Sequence, residues 1–226
     1  MFVVNNYATA VIFCFITMLC WGSWGNTQKL AGKTWRYELF YWDYVVGMLL
    51  FSLILCFTLG SWGDAGRPFA EDLAQASPRG IGSVLLGGVI FNASNILLSA
   101  SVSLAGLAVA FPLGVGLALV LGVIVNYIGA PKGDPVVLFL GVALIVVAIV
   151  CNGIASGRIQ KEHGSSARNR KGIWLAVVAG VLMSFFYRFV AAAMDLDNFE
   201  SPTPGILTPY SAIIIFSVGV LYRNFE

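Results

Sequence analysis

Long apolar runs separated by short polar segments follow one another along almost the whole chain. A helix needs about 20 apolar residues to cross the roughly 30 Å hydrocarbon core of a bilayer. Seven runs reach or approach that length. The third and fourth belong to one long uncharged stretch, and the break between them is predicted at 99–106. The pattern therefore predicts an all-α integral membrane protein with seven transmembrane helices, at 8–27, 40–60, 80–100, 105–128, 135–155, 173–194 and 206–222.

Composition supports a membrane location and offers little for enzymatic chemistry. Hydrophobic residues make up 58% of the sequence and charged residues 11%, whereas soluble domains average about 25% charged residues. The net charge of +2 does not suggest nucleic acid as a partner. The four cysteines lie in apolar runs, and no phosphate-binding or hydrolase motif is present. We therefore expect no metal, no cofactor and no enzymatic activity, with the lipid bilayer as the surrounding partner.

Lysine and arginine are unevenly divided between the two sides of the predicted bundle. Nine cations fall in the first loop, in the fifth loop and at the end of the chain, against three on the opposite side. Because cytoplasmic loops carry the excess of Lys and Arg, the basic loops are predicted to be cytoplasmic and the N-terminus external. A short interfacial helix is predicted at 69–76, in the second loop.

The first and sixth spans share a pattern that suggests an internal repeat. Each is an apolar helix with a late aromatic and polar cluster, and each leads through a polar connector to a helix that opens with a tyrosine, Tyr44 or Tyr210. A five-helix unit that repeats once is necessarily inverted in the membrane. The predicted organisation is a first five-helix repeat at 1–157, a basic inter-repeat loop at 158–172 and the first two helices of a second repeat at 173–226. The identity between the two segments is low, so the pattern alone leaves a chance similarity equally open.

Polar residues inside the spans are candidates for a binding site, because burying them in hydrocarbon is costly. In the first span, Trp21, Trp24 and Gln28 share one helical face with Thr17. In the third span, Asn92, Asn95 and Ser99 are spaced i, i+3 and i+7. We interpret both groups as substrate-binding, with amides bonding a polyhydroxyl or ureido ligand and indole rings stacking on it. The alternatives are an aromatic belt at the membrane interface and ordinary hydrogen bonding between helices.

Two charged residues complete the set of candidates. Arg188, the only cation inside a span, is a candidate for substrate binding because it can hold an anionic group. The alternative is that it reaches toward Asp195, seven residues further on. Asp43 opens the second span and is a candidate for coupling transport to a proton or sodium ion. A carboxylate at a helix N-terminus is also common without any such role.

Three segments carry a resemblance to a known group of proteins: "CWGSWGNTQKLAGKTWRYELFYWDY", "IFNASNILLSASVSLAGLAVAFPLGVGLALVLG" and "SFFYRFVAAAMD". They resemble bacterial members of the drug/metabolite transporter superfamily, in the glucose/ribose porter and ureide permease-like branches. The resemblance implies a ten-helix fold of two inverted five-helix halves, of which this chain holds the first seven helices. It also implies a multi-pass protein of the bacterial cytoplasmic (inner) membrane. The chain lacks the nucleotide-binding motif found in the central loop of plant ureide permeases, which disfavours a role for ATP.

The leading functional prediction is a secondary active transporter of a small polar, sugar-like solute that works by alternating access. The first alternative is a ureide or nucleobase-like permease. The second, from a different class, is a seven-helix membrane receptor, although the seventh span has no lysine for a retinal Schiff base.

Overall fold

A computed structural model describes residues 1–31, 34–131, 133–163 and 167–224. These residues form helices and loops, with a single isolated β-bridge between Met194 and Leu207. The helices of this part of the chain are α1 (Tyr7–Ala31), α2 (Tyr37–Phe57), α3 (Phe69–Gln75), α4 (Pro78–Ala105), α5 (Leu107–Gly129), α6 (Pro135–His163), α7 (Ala167–Ala191) and α8 (Pro209–Asn224).

Six helices of the described chain are long and apolar enough to cross a membrane: α1, α2, α4, α5, α6 and α7. They confirm a multi-pass, all-helical membrane protein. The seventh predicted span is not confirmed, because α8 has 16 residues and a spanning helix needs about 20. The position at which α8 starts explains why it is shorter than the predicted span. Pro209 occupies the first helical position, where proline is favoured, so residues 206–208 of the predicted span belong to the preceding loop.

The predicted connections agree with the structure in part. The interfacial segment predicted at 69–76 is helical, as α3, and the break predicted at 99–106 is reduced to Gly106 alone. The basic segment at 158–172 is mostly helical, since α6 ends at His163 and α7 begins at Ala167. Residues 164–166 of that segment lie outside the described ones.

The chain divides into two compact units. The first contains residues 1–85 and 192–226, and the second contains residues 86–191. The boundaries of the proposed repeats stay predictions.

The second unit is built from consecutive antiparallel helices, the last part of α4 and the whole of α5, α6 and α7. Gly106 forms the connection from α4 to α5 with φ +84°, a backbone conformation that favours glycine. Tyr127 of α5 meets Phe139 of α6 with ring centroids 5.4 Å apart. A Cβ added to Gly116, further back on α5, would lie 2.6 Å from Ile149, further along α6. The two helices therefore run in opposite directions.

Helices α5 and α7 run parallel and approach each other along small residues. A Cβ added to Gly180 of α7 would lie 2.6 Å from the carbonyl oxygen of Gly114 on α5. One added to Gly122 would lie 3.8 Å from the carbonyl oxygen of Ser184. Small residues at such positions let membrane helices pack backbone to backbone. We call the contact of Gly114 and Gly122 with Gly180 and Ser184 the glycine seam.

A buried carboxylate in the first unit joins two segments that are distant in the sequence. Asp72 of α3 is completely buried. It accepts hydrogen bonds from the Arg67 guanidinium at 2.8 Å and from the backbone N–H and hydroxyl of Thr208 at 2.8 and 3.0 Å. Thr208 directly precedes α8, so the carboxylate also lies where the helix dipole favours negative charge. We call Arg67, Asp72 and Thr208 the loop clasp, because they join the α2–α3 loop to the start of α8.

Candidate functional site

The predicted polar stripe of the third span lies well inside α4. Asn92 is completely buried, and Asn95 and Ser99 are each 4% exposed. The Ser99 hydroxyl is buried and has no hydrogen-bond partner among the described residues. Leaving such a group unpaired costs on the order of 1–3 kcal/mol. Within the stripe, Ser99 therefore holds hydrogen-bonding capacity that a bound solute can satisfy.

Two serines of α4 outside the stripe make hydrogen bonds to another helix, the role that the alternative interpretation gave to the stripe. Ser94 donates to the carbonyl oxygen of Ala179 at 2.6 Å, and Ser101 donates to that of Gly172 at 2.7 Å. Both acceptors belong to α7. Successive helical residues are rotated by about 100°, so Asn95 lies about a quarter of a turn or more away from Ser94. Within the second unit, the stripe is thus not the face of α4 that contacts α7.

Arg188 lies at the end of the contact between α5 and α7. Its guanidinium packs directly over Gly129, the last residue of α5. A cation at this position is favoured by the negative end of the helix dipole. The arrangement accounts for a charge inside a span on structural grounds, and a contact with an anionic solute stays a prediction.

The predicted pairing partner of Arg188 is engaged elsewhere. Helix α7 ends at Ala191, so Asp195 belongs to the following loop and the helical spacing that suggested the pairing does not extend to it. Asp195 accepts hydrogen bonds from the hydroxyl and the backbone N–H of Thr203, at 2.8 and 3.2 Å. The Thr203 hydroxyl, followed by its N–H, lowers the pKa of Asp195.

In the first unit, the predicted residues of α1 lie near an aromatic cluster that the sequence analysis did not single out. The Trp24 ring lies 5.8 Å from that of Tyr44, and Tyr44 lies 5.6 Å from Tyr41, which is 3% exposed. The signal for this cluster was the aromatic run "FYWDY" at the start of α2. Trp21 is 43% exposed. The side-chain carbonyl oxygen of Gln28 is buried without a partner among the described residues.

Asp43 occupies an exposed position near the start of α2. Its carboxylate accepts a hydrogen bond from the Trp35 indole N–H at 3.1 Å. The contact fixes the carboxylate next to the α1–α2 connection. A role in ion coupling stays a prediction.

A further candidate is a residue that the sequence analysis missed. Ser211 lies in the first turn of α8, is completely buried and has a hydroxyl without a partner among the described residues. Serine often bonds to its own helix, as Ser217 does with the carbonyl oxygen of Ile213 at 2.8 Å. The sequence alone could not separate these two serines.

The polar groups fall into two sets, one in each unit. The first unit holds Trp24, Gln28, Tyr41, Tyr44 and Ser211, and the second holds Asn92, Asn95 and Ser99. Among the described residues, no group of three or more His, Cys, Asp or Glu side chains is placed to hold a metal. Both sets offer hydrogen bonding, and the set in the first unit also offers ring stacking.

Apolar spanning helices that bury amides and hydroxyls define a multi-pass membrane protein. A family model described as "Ureide permease" matches residues 40–171, which is more than half of the sequence. The chain belongs to the ureide permease family.

Individual relatives agree with this assignment. Ureide permease 3 of Arabidopsis thaliana is 26% identical over 173 residues, which cover 76% of this chain and 48% of the relative. Ureide permease 2 of the same plant is 28% identical over 177 residues, covering 76% and 42%. The chain thus spans slightly less than half the length of these curated relatives. No solved structure matches it.

The family assignment sharpens the sequence-based predictions. The family and the relatives are named as permeases, which agrees with the predicted class of membrane transporters and with the expectation of no enzymatic activity. Of the two predicted branches, the ureide permease-like one is confirmed in the family match, whereas the glucose/ribose porter branch and the superfamily are not. A sugar-like solute is not supported, and the ureide alternative fits better. The relatives are plant proteins, so the bacterial inner membrane stays a prediction.

Proposed function

We propose that this chain takes part in secondary transport of a ureide-like solute by alternating access. The observation that carries the proposal is the buried stripe of Asn92, Asn95 and Ser99 within a spanning helix. The family match and the names of the relatives support the same class of solute.

The chemistry of the stripe suits a ureido group. An asparagine side chain offers a carbonyl acceptor and an NH₂ donor in one plane, and a hydroxyl can do both. A ureido group presents the same donors and acceptors in a planar arrangement. Two amides and a hydroxyl on one helical face can therefore bond several of its atoms at once. A sugar offers hydroxyls in varied directions and matches the planar amides less closely.

The aromatic cluster of the first unit offers a second type of contact. The Trp24, Tyr41 and Tyr44 rings present flat surfaces, and aromatic rings favour offset stacking. Trp21 and Gln28 extend this set along α1. We propose that these side chains of the first unit are themselves suited to bind a planar ureido group by ring stacking and hydrogen bonding. Asp43 remains the candidate for coupling to a proton or sodium ion, and Arg188 the candidate for an anionic group.

The arrangement of the spans follows from the same proposal. We infer that the basic segments lie on the cytoplasmic side, since Lys and Arg are retained there. We also infer that α1 and α7 begin two inverted repeats. Two inverted repeats can provide the two alternating states of a transporter from one fold.

The test of the proposed function is a comparison of solute classes. Purified chain in detergent is titrated with radiolabelled hydantoin, a cyclic ureide, and the bound label is displaced with unlabelled uracil, urea or glucose. We expect hydantoin to bind and uracil to compete more weakly, with no displacement by glucose at equal concentration. Displacement by glucose as strong as that by unlabelled hydantoin would overturn the proposed solute class.

A further inference from the structure

A groove of about 620 Å³ lies at one end of the second unit. Its walls come from the last turn of α4 and the first turns of α7, and it is lined by Leu104, Arg170, Lys171, Trp174, Leu175 and Val178. The volume is within the range of about 300–1,000 Å³ that ordinary ligand sites occupy. The groove contains none of the candidate solute contacts described above.

The groove is almost entirely apolar, and two cationic residues contribute to its lining. Lys171, Trp174 and Val178 are spaced i, i+3 and i+7, so they share one face of α7. Arg170 stands beside Lys171, and both cations are exposed. Trp174 is 64% exposed and Val178 43% exposed. Two exposed cations therefore lie next to a surface of large apolar side chains.

The position of the groove along the helices matches the boundary of the bilayer. Helix α4 ends at Ala105 and turns at Gly106 into α5, and the apolar span of α7 begins at Arg170. The cations thus lie at headgroup depth, while Val178 lies two turns further into the span. Tryptophan is enriched at this depth because its ring is apolar and its N–H is polar.

We propose that this groove binds an anionic phospholipid. The phosphate lies between Arg170 and Lys171, and the upper part of one acyl chain runs along Trp174 and Val178 beside Leu104. Basic pockets between spanning helices are suited to anionic headgroups. A zwitterionic lipid lacks the net charge that two adjacent cations favour, and a free anion leaves the apolar wall uncovered.

The test uses the full chain in nanodiscs with 6,7-dibromo lipids, whose bromine atoms quench tryptophan fluorescence near the headgroups. The quenching lost in Trp174→Phe reports on Trp174 alone. Each Lys or Arg near an anionic membrane surface raises the affinity for anionic lipid about fivefold. We therefore expect dibromo-phosphatidylglycerol to quench Trp174 at a mole fraction roughly 25-fold below that of dibromo-phosphatidylcholine. This preference should shrink in 1 M salt, which screens exposed charges.

Charge variants separate a specific site from general attraction. The double variant Arg170→Gln/Lys171→Gln should lose the preference, while Arg170→Lys/Lys171→Arg should retain it. The pair Lys29→Gln/Arg223→Gln removes the same charge from other helices and should leave the preference intact. Equal quenching by both lipids in the unmodified chain would overturn the proposal. So would a preference that survives the loss of Arg170 and Lys171.

Discussion

The hydroxyl of Ser94 on α4 donates to the carbonyl oxygen of Ala179 on α7 at 2.6 Å, in a completely buried position. This bond fixes the side of α4 that faces α7. It leaves Asn92, Asn95 and Ser99 on a different side of the same helix.

Replacing Ser94 with alanine should lower stability without changing the solute site. A typical intramolecular hydrogen bond contributes about 0.5–1.5 kcal/mol, and we expect a loss in that range. The control is Ser103→Ala, since Ser103 is exposed and bonds within its own helix, to Ala100 at 2.8 Å. Thermal unfolding followed by intrinsic fluorescence measures both variants. A larger loss from Ser103→Ala would contradict the assigned role of Ser94.

The glycine seam should tolerate no side chain at Gly180. A Cβ there would approach the Gly114 carbonyl oxygen to 2.6 Å and the Leu117 Cβ to 3.1 Å. Because backbone cannot move aside as a flexible side chain can, α5 and α7 would separate, at a cost of about 1–3 kcal/mol. Thermal unfolding of Gly180→Ala measures that cost.

Gly141→Ala is the matched control for this prediction. Gly141 lies in α6 with nothing within 4 Å of an added Cβ, and alanine favours a helix by up to about 1 kcal/mol over glycine. We expect unchanged or slightly raised stability. A destabilisation equal to that of Gly180→Ala would show that the close approach is not the cause.

Breaking the loop clasp should loosen the connection between the α2–α3 loop and α8. In Asp72→Asn, the Arg67 charge loses its partner and Thr208 loses a charged acceptor. Removing one member of a buried ion pair costs about 3–5 kcal/mol, and we expect the lower end because Arg67 is 17% exposed. Thermal unfolding of Asp72→Asn against Asp64→Asn, an exposed loop carboxylate, measures the effect. Similar losses in the two variants would contradict a specific clasp.

The loop that follows α7 should open only in acid. The Thr203 hydroxyl and N–H lower the pKa of Asp195, so their stabilisation is complete above the ordinary aspartate pKa. It is lost as the pH falls through the lowered value. The measurement is pepsin cleavage of the 195–203 loop from about pH 5 to pH 2, a range that brackets the ordinary aspartate pKa of about 3.9. Cleavage should begin at higher pH in Thr203→Val than in the unmodified chain. Thr203→Ser keeps the hydroxyl and should match the unmodified chain, and identical pH profiles for Val and Ser would contradict the role of the hydroxyl.

The sequence indicated which residues share a helical face, but it did not indicate what each face meets. Ser94 and Ser101 are seven residues apart, and so are Asn92 and Ser99. Periodicity treats the two pairs alike, and only the packing of α7 distinguishes them. The spans themselves were predictable because bilayer thickness sets helix length.

Helix ends were the weak point of prediction from sequence. The supposed pairing of Arg188 with Asp195 assumed a helix that continues past Ala191, where α7 ends. The seventh span was predicted to begin at 206, ahead of Thr208 and Pro209, where the loop clasp holds the chain out of the helix. Both differences come from loop contacts between residues distant in the sequence, which a hydrophobic pattern does not reveal.

The polar stripe of α4 is proposed to bind a ureide, and hydantoin binding to two asparagine variants tests this proposal. Asn95→Ala removes an amide of the stripe, whereas Asn126→Ala removes an amide that bonds within α5, to Gly122 at 2.8 Å. Loss of a buried hydrogen-bond partner costs on the order of 1–3 kcal/mol. We predict that the dissociation constant measured by equilibrium dialysis rises about 5- to 150-fold in Asn95→Ala and stays unchanged in Asn126→Ala. Unchanged hydantoin binding by Asn95→Ala, in a chain as stable as the unmodified protein, would rule out the stripe as the ureide site.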